Sequence, residues 1–239
     1  MTPRPTARTR RAALLTMAGT VPLGLLALAG CDPRQAVYFL QPFEPTVAAE
    51  GPSLKGKKVV LIAKAAPGAL GDFVSLDREL TREVAAILRA GVKKIELVEL
   101  DRVWAWDQAH PRWTDPAELA EAFDADMVVF LEIQEFRIQD PSSPGMFEGH
   151  STVHIRVVER AHPKDARGRE QTDLPKRTQI VSDTDRETTF PLRGPIPASA
   201  EVSASTFKQR FLKLVATEVS WHFIDHAPGD NVQDVRFGD

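Results

Sequence analysis

A chain of 239 residues with a single cysteine, Cys31, can close no internal disulfide, so its stability has to come from an apolar core. Common catalytic signatures are missing too. There is no nucleophile elbow, no zinc-protease motif and no Cys-His arrangement if Cys31 is engaged elsewhere. The turn Pro67-Gly68-Ala69-Leu70-Gly71-Asp72 stands where a phosphate loop would, between a strand and a helix, but it has neither the GxGxxG spacing nor the Walker lysine and hydroxyl. It reads as a plain turn. Acidic side chains are absent from the first 30 residues, which hold Arg4, Arg8, Arg10 and Arg11. An uninterrupted membrane-spanning run is absent as well: Gly19, Pro22 and Gly24 break residues 12–28, and Pro22 would remove a backbone hydrogen bond where lipid offers no substitute. A basic start, an apolar centre and a small-residue end form the pattern of a secretory signal peptide.

That pattern stops at LLALAGCD, residues 25–32, which contains the only cysteine. Leu28-Ala29-Gly30-Cys31 resembles the bacterial lipobox. The resemblance implies cleavage before Cys31 and acylation of its sulfur by chains such as palmitate. At about 0.8 kcal/mol per buried methylene, more than one chain holds a protein stably on a membrane. Thr9-Arg10-Arg11 is similar to a twin-arginine export signal, although Ala13 stands where a larger apolar residue is usual, so the export route stays open. Asp32 resembles the aspartate that in some Gram-negative lipoproteins favours the inner membrane, and inner versus outer membrane stays open too.

Residues 1–30 are thus read as the signal, 31–56 as the lipidated N-terminus and tether, 57–228 as one domain and 229–239 as a tail. Without its signal the chain loses four arginines and no acid, leaving 26 basic against 33 acidic residues and a formal charge of −7. This balance excludes a nucleic-acid partner, which needs a basic field. It also argues against electrostatic adhesion to anionic lipid and leaves membrane attachment to the acyl anchor. The tether holds four prolines, and Tyr38, Phe39, Leu40 and Phe43 within it are expected to latch onto the domain.

In the domain, KKVVLIA (residues 57–63) is a continuous apolar run, as expected of a strand covered on both faces. Leu76, Leu80, Val84, Ile87 and Leu88 recur at helical spacing, with Ser75 as N-cap and Gly91 past the end. KIELVEL (94–100) alternates as a strand, and Asp115-Pro116-Ala117-Glu118 starts a short helix. Residues 126–138 form a long strand whose inward parity changes between Ile133 and Phe136, which predicts a bulge at Gln134-Glu135. Residues 150–160 alternate cleanly, 178–190 read as a polar strand near an edge, and a last helix over 205–225 carries Phe207, Phe211, Val215, Val219 and Phe223 on its stripe. The order β-α-β-α-β-β-β-α defines an α/β (α+β) single domain, a mixed sheet with helices packed on one layer. The block Ala125-Asp-Met-Val-Val-Phe-Leu-Glu-Ile-Gln-Glu-Phe136, met after strand, helix, strand and helix, resembles the envelope group of the TolB N-terminal domain, CsgG and LpoB. That resemblance covers residues 57–226. It implies a non-enzymatic role in envelope assembly and transfers no functional residue.

Four clusters are candidates for function. His222 and His226 are four apart in WHFIDH and would share a helix face as two metal ligands, with Asp225 nearby; the same histidines would equally suit a helix C-terminus. His150, Thr152, His154 and Arg156 share a strand face, either a polar groove or the solvated side of a half-buried sheet. Trp104, Trp106 and Trp113 offer either stacking faces for glycan or a partner, or filling for the core margin under a loop. Glu132 and Glu135 fall on opposite strand faces unless the bulge joins them. No cofactor is expected. The reading is a lipid-anchored, extracytoplasmic, non-enzymatic binding or assembly accessory with an envelope protein partner. Its alternatives are a metal-assisted hydrolase of envelope glycan or peptide, or an oligomeric subunit joined through sheet edges.

Overall fold

The computed structural model describes residues 46–227 apart from Leu70, Asp72, Asp140, Pro141, Pro144, Lys164, Ala166, Arg193, Ala200 and Glu201. The signal, Cys31, the four apolar tether residues 38–40 and 43, and the tail 229–239 lie outside the described residues.

Strand β1 (Lys58–Ala65) is the apolar run, and it is buried on both faces as its composition requires. Helix α1 (Leu76–Gly91) follows with Leu76, Leu80, Val84 and Leu88 in the core. Ser75 occupies the N-cap, yet its hydroxyl donates to Glu79 at 2.6 Å and makes no cap bond. Gly91 ends the helix instead of following it. A Cβ there would lie 2.5 Å from Ile224 Cδ1, so the glycine serves a close approach.

The strand expected over 94–100 shrinks to β2 (Glu96–Leu97), in register with Lys58 and Val59 of β1. Lys94 is in the left-handed region at φ 59°, and helix α2 (Leu100–Ala109) already begins where the strand was expected to end. Helix α3 (Pro116–Ala122) starts as its sequence predicts: Asp115 is the N-cap and accepts from the Ala117 amide at 2.9 Å, with proline at the first position.

The long strand β3 (Met127–Arg137) bears the expected irregularity, since its register against the next strand shifts between Ile133 and Glu135. Gln134 and Glu135 are both exposed there, and Phe136 turns back into the core. After the two-residue β4 (Met146–Phe147) come β5 (Gly149–Ala161), β6 (Arg177–Phe190) and the two-residue β7 (Ile196–Pro197), which pairs with β4. Helix α4 (Ala204–Ser220) closes the domain, its N-cap Ser203 accepting from Thr206 N at 3.2 Å.

The five-stranded sheet has the order β2-β1-β3-β5-β6. β1 is parallel to β2 and β3, and β3, β5 and β6 are mutually antiparallel. β6 forms the edge anticipated from its polar sequence. The α+β class and mixed sheet are those expected, whereas the helices divide between the two faces. Leu76, Leu80, Phe207 and Phe211 of α1 and α4 join Val59, Leu61 and Val129 in the larger core, and Val103 and Leu119 of α2 and α3 join Val60, Ile62 and Val128 in the smaller one. The chain moves outward from β1 to β2 and then back across β1 to β3. Two right-handed crossovers in opposite directions put their helices on opposite faces. Among the described residues no helix is long and apolar enough to cross a membrane.

Gly149 sits under the Phe211 ring, where a Cβ would lie 2.7 Å from Cγ. Phe211 is fully buried, stacks with Phe207 and packs tilted against Phe136. Gly149→Ala is therefore expected to lower stability by about 1–3 kcal/mol through overpacking, read as a lower urea midpoint at unchanged m-value.

Candidate functional site

The C-terminal turn after α4 is held by residues 47–51. Val47 and His226 exchange backbone hydrogen bonds of 2.8 and 3.0 Å, Gly51 N donates to His222 O at 2.7 Å, and Ala49 N donates to Asp225 Oδ1 at 2.9 Å. A Cβ on Gly51 would lie 2.5 Å from the His222 ring, so this ribbon closes only over a glycine. Leu54 beyond it is buried in the larger core. The stretch from residue 46 thus packs as part of the domain, before the boundary at residue 57 expected from sequence.

Beneath this ribbon the inner parity of β6 meets the end of α4. Thr188 donates to Glu218 Oε2 at 2.6 Å, Ser182 Oγ is 2.8 Å from His222 Nε2, and Arg186 Nη2 reaches Glu50 at 3.2 Å. Glu50, Arg186, Glu187, Glu218, Trp221 and His226 line a cavity of about 230 Å³. The His226 ring stacks on Trp221 at 4.3 Å and 9°. The Nε of Arg186 and the Nδ1 atoms of His222 and His226 are buried without a hydrogen-bond partner among the described residues.

Burial sets the charge state of this cluster. It pushes the Glu218 carboxyl above its ordinary 4.5, against the smaller opposing effects of the Thr188 hydrogen bond and the Arg186 charge. It holds His222 below its ordinary 6.5, helped by Arg186 and opposed by Glu50. Both groups therefore favour their neutral forms. Ser182 and His222 stand at the distance of a nucleophile and its base, but no third group orients Nδ1 and neither residue lines the cavity. The bond gives one ring nitrogen, Nε2, of a histidine that is 3 % exposed its partner.

His222 and His226 do not share a helix face, contrary to the spacing argument. α4 ends at Ser220, His222 lies in the following turn, and His226 is extended against Val47. Among the described residues no group of three or more His, Cys, Asp or Glu side chains is arranged to hold a metal.

The strand-face row is brought together, with acids the sequence reading did not include. His154 is 2.6 Å from Asp185 and 2.5 Å from Asp183 through its two ring nitrogens, Arg156 Nε is 3.5 Å from Asp183, and His150 is 3.6 Å from Glu148. The His154 and Arg156 contacts are cross-strand pairs of β5 and β6, of the kind that contributes roughly 0.2–1 kcal/mol each to a half-solvated sheet face, while Glu148 lies on the same segment as His150. Glu132 points to this face beside His154, while the bulge leaves Glu135 paired with Arg137 at 2.9 Å.

The tryptophans fall on α2 and the turn after it. Trp104 is 9 % and Trp113 7 % exposed, so their rings belong to the core margin. The Arg82 and Arg78 guanidiniums cover Trp104 at 4.9 and 5.4 Å. Trp113 lies under Lys64 at 4.3 Å, edge-on to Phe130, and donates to Asp107 at 2.6 Å, while Lys64 also pairs with Asp107 at 2.7 Å. Trp106 is half-buried and stacks on His110 at 4.4 Å.

Sequence reasoning missed Glu50, Ser182, Arg186 and Glu218. The inward parity of β6 held the signal: Ser182, Arg186 and Thr188 share a face, and Glu218 directly precedes Val219 of the apolar stripe.

No family model matches the chain, and no curated protein matches it. Solved structures are similar in part. The PelC dodecamer from Paraburkholderia phytofirmans is 12 % identical over 75 % of this chain and 95 % of that one, with a TM-score of 0.41. The hypothetical protein CT253 from Chlamydia trachomatis is 15 % identical over 70 % and 97 %, with a TM-score of 0.40. The lipoprotein GNA1162 from Neisseria meningitidis is 13 % identical over 71 % and 99 %, with a TM-score of 0.35. No residue's role is carried over from any of them.

The two buried groups give opposite pH slopes. The raised Glu218 contributes stability that is fully present below about pH 4.5 and lost as pH rises through its folded value; the depressed His222 contributes stability present above pH 6.5 and lost as pH falls through its folded value. Glu218→Gln is expected to gain stability relative to the parent between pH 4 and pH 8, measured as the difference in urea midpoint. An unchanged difference across that range would contradict the placement of Glu218.

Proposed function

We propose that this protein is a lipid-anchored, extracytoplasmic accessory of the bacterial envelope that acts by binding and not by catalysis. The observation that carries the reading is the sequence Leu28-Ala29-Gly30-Cys31 behind a basic and apolar leader, in a chain with no other thiol. Intact mass and membrane fractionation of the full chain beside Cys31→Ala in a Gram-negative host test the anchor. The parent is expected to begin at an acylated Cys31 and to stay with membranes, and the variant to keep its leader or to be released. Two soluble, unacylated products with the same N-terminus would refute the reading.

A second reading has its own observation. β6 is a 14-residue edge strand whose first four residues, Arg177, Thr178, Gln179 and Ile180, are exposed, and exposed strand edges pair with other chains. Assembly through this edge predicts a concentration-dependent rise in mass by light scattering, which Ile180→Lys would abolish; a constant monomer mass would dismiss it.

A further inference from the structure

The formal charge of −7 expected for the processed chain conceals a strongly uneven distribution. At one end of the sheet, β1, β2 and β3 begin and β5 ends: Lys58 is in register with Glu96, Asp126 N donates to Lys58 O, and Met127 is in register with Glu159. β6 begins there too, with Arg177 opposite Ala161.

The acids of this end are mostly engaged. Glu159 is 3.4 Å from Lys57, Asp124 is 2.7 Å from Arg160, and Lys176 is 3.8 Å from both Asp124 and Asp126. Asp225 accepts from the Ala49 amide. The β5–β6 hairpin beyond carries both signs, with Asp165 tied to Arg169 at 2.9 Å. Five bases, Lys55, Lys58, Lys93, Lys94 and Arg177, have no ion pair within 4 Å among the described residues, although the Lys58 charge still acts on Asp124, and the acids Glu96 and Asp225 of this end likewise have none. All but Lys58 are exposed.

The chain enters the domain with Val47 and Ala48 beside Arg186 and Glu187 of β6, and residues 49–55 then run to this end. Ala49, Gly51, Ser53 and Lys55 line one groove with Gly91 and Lys93. From Cys31 to Thr46 the chain reaches at most about 50 Å when fully extended. An acylated Cys31 would therefore keep the domain near the bilayer at high effective concentration, where a charged patch too weak to bind alone is sufficient to choose the face that meets it.

We propose that the end carrying Lys55, Lys58, Lys93, Lys94 and Arg177 is the face that the domain lays on an anionic phospholipid surface. The proposal rests on the lipid-anchor reading for its geometry. It replaces the expectation, drawn from net charge alone, that electrostatics plays no part in membrane attachment: attraction to a charged leaflet falls off within a Debye length of about 10 Å, so only the nearest face is felt.

The test is lysine footprinting by an amine-reactive reagent and mass spectrometry on the full chain purified from membranes. The protein is reconstituted in phosphatidylcholine vesicles with or without about 30 % phosphatidylglycerol, and intact mass reports acylation separately. Labelling of Lys55, Lys93 and Lys94 is expected to fall about threefold on the anionic vesicles and to recover in about 0.5 M salt, while Lys213, exposed on α4, is unchanged. In the double variant Lys55→Glu with Lys93→Glu, the protection of Lys94 should be lost with Lys213 still unaffected. An acylated, vesicle-bound protein labelled equally on both surfaces would overturn the proposal and leave the anchor standing. Protection of an unacylated chain on anionic vesicles would support the face and remove the anchor. An unacylated chain that binds neither vesicle would overturn both.

Discussion

Four hydrogen bonds between residues 47–51 and 222–226 fix where the chain meets its domain, and the features of functional interest hang from them. The ribbon covers His222, which leaves that histidine 3 % exposed and depresses its basicity. It brings Glu50 to Arg186 and so walls one side of the cavity over Glu218. It also carries residues 49–55 beside the end of α1, where Lys55 and Lys93 face one groove. Backbone bonds of this kind contribute only about 0.5–1.5 kcal/mol each, so the ribbon depends on the glycine at residue 51 that lets it close and on Leu54, buried just after it.

The molecule divides its polar groups into two populations with different uses. Those at the α4–β6 seam are buried: Glu218 is held by Thr188 and His222 by Ser182, while Arg186 Nε and the Nδ1 atoms of His222 and His226 have no partner among the described residues. Those at the end where β1, β2 and β3 begin include long, solvated lysines that cost little to leave unpaired.

What was legible in the sequence is what short-range chemistry decides. The cap of α3 follows from Asp115 and Pro116 alone, the bulge in β3 from the parity of Ile133 and Phe136, and the two faces of β5 from strict alternation. Elements fixed by partners distant in sequence were not legible. β2 is limited to two residues by its register with β1, and the separation of α2 and α3 from α1 follows from strand order, which no local pattern encodes. The spacing of His222 and His226 failed as a site signal because α4 ends at Ser220. Glu218 and Arg186 were hidden because they meet across a helix and an edge strand, and the lysine end was hidden because a net charge sums over all faces at once.

Amide hydrogen exchange at Val47 and Gly51 tests the central claim that the ribbon is an integral part of the domain. Both amides donate to backbone carbonyls of the C-terminal turn, so their protection should match that of Phe223 N within the same turn. Exchange of Val47 and Gly51 at the rate of unstructured chain, with α4 still protected, would contradict the account and separate the tether's entry point from the fold.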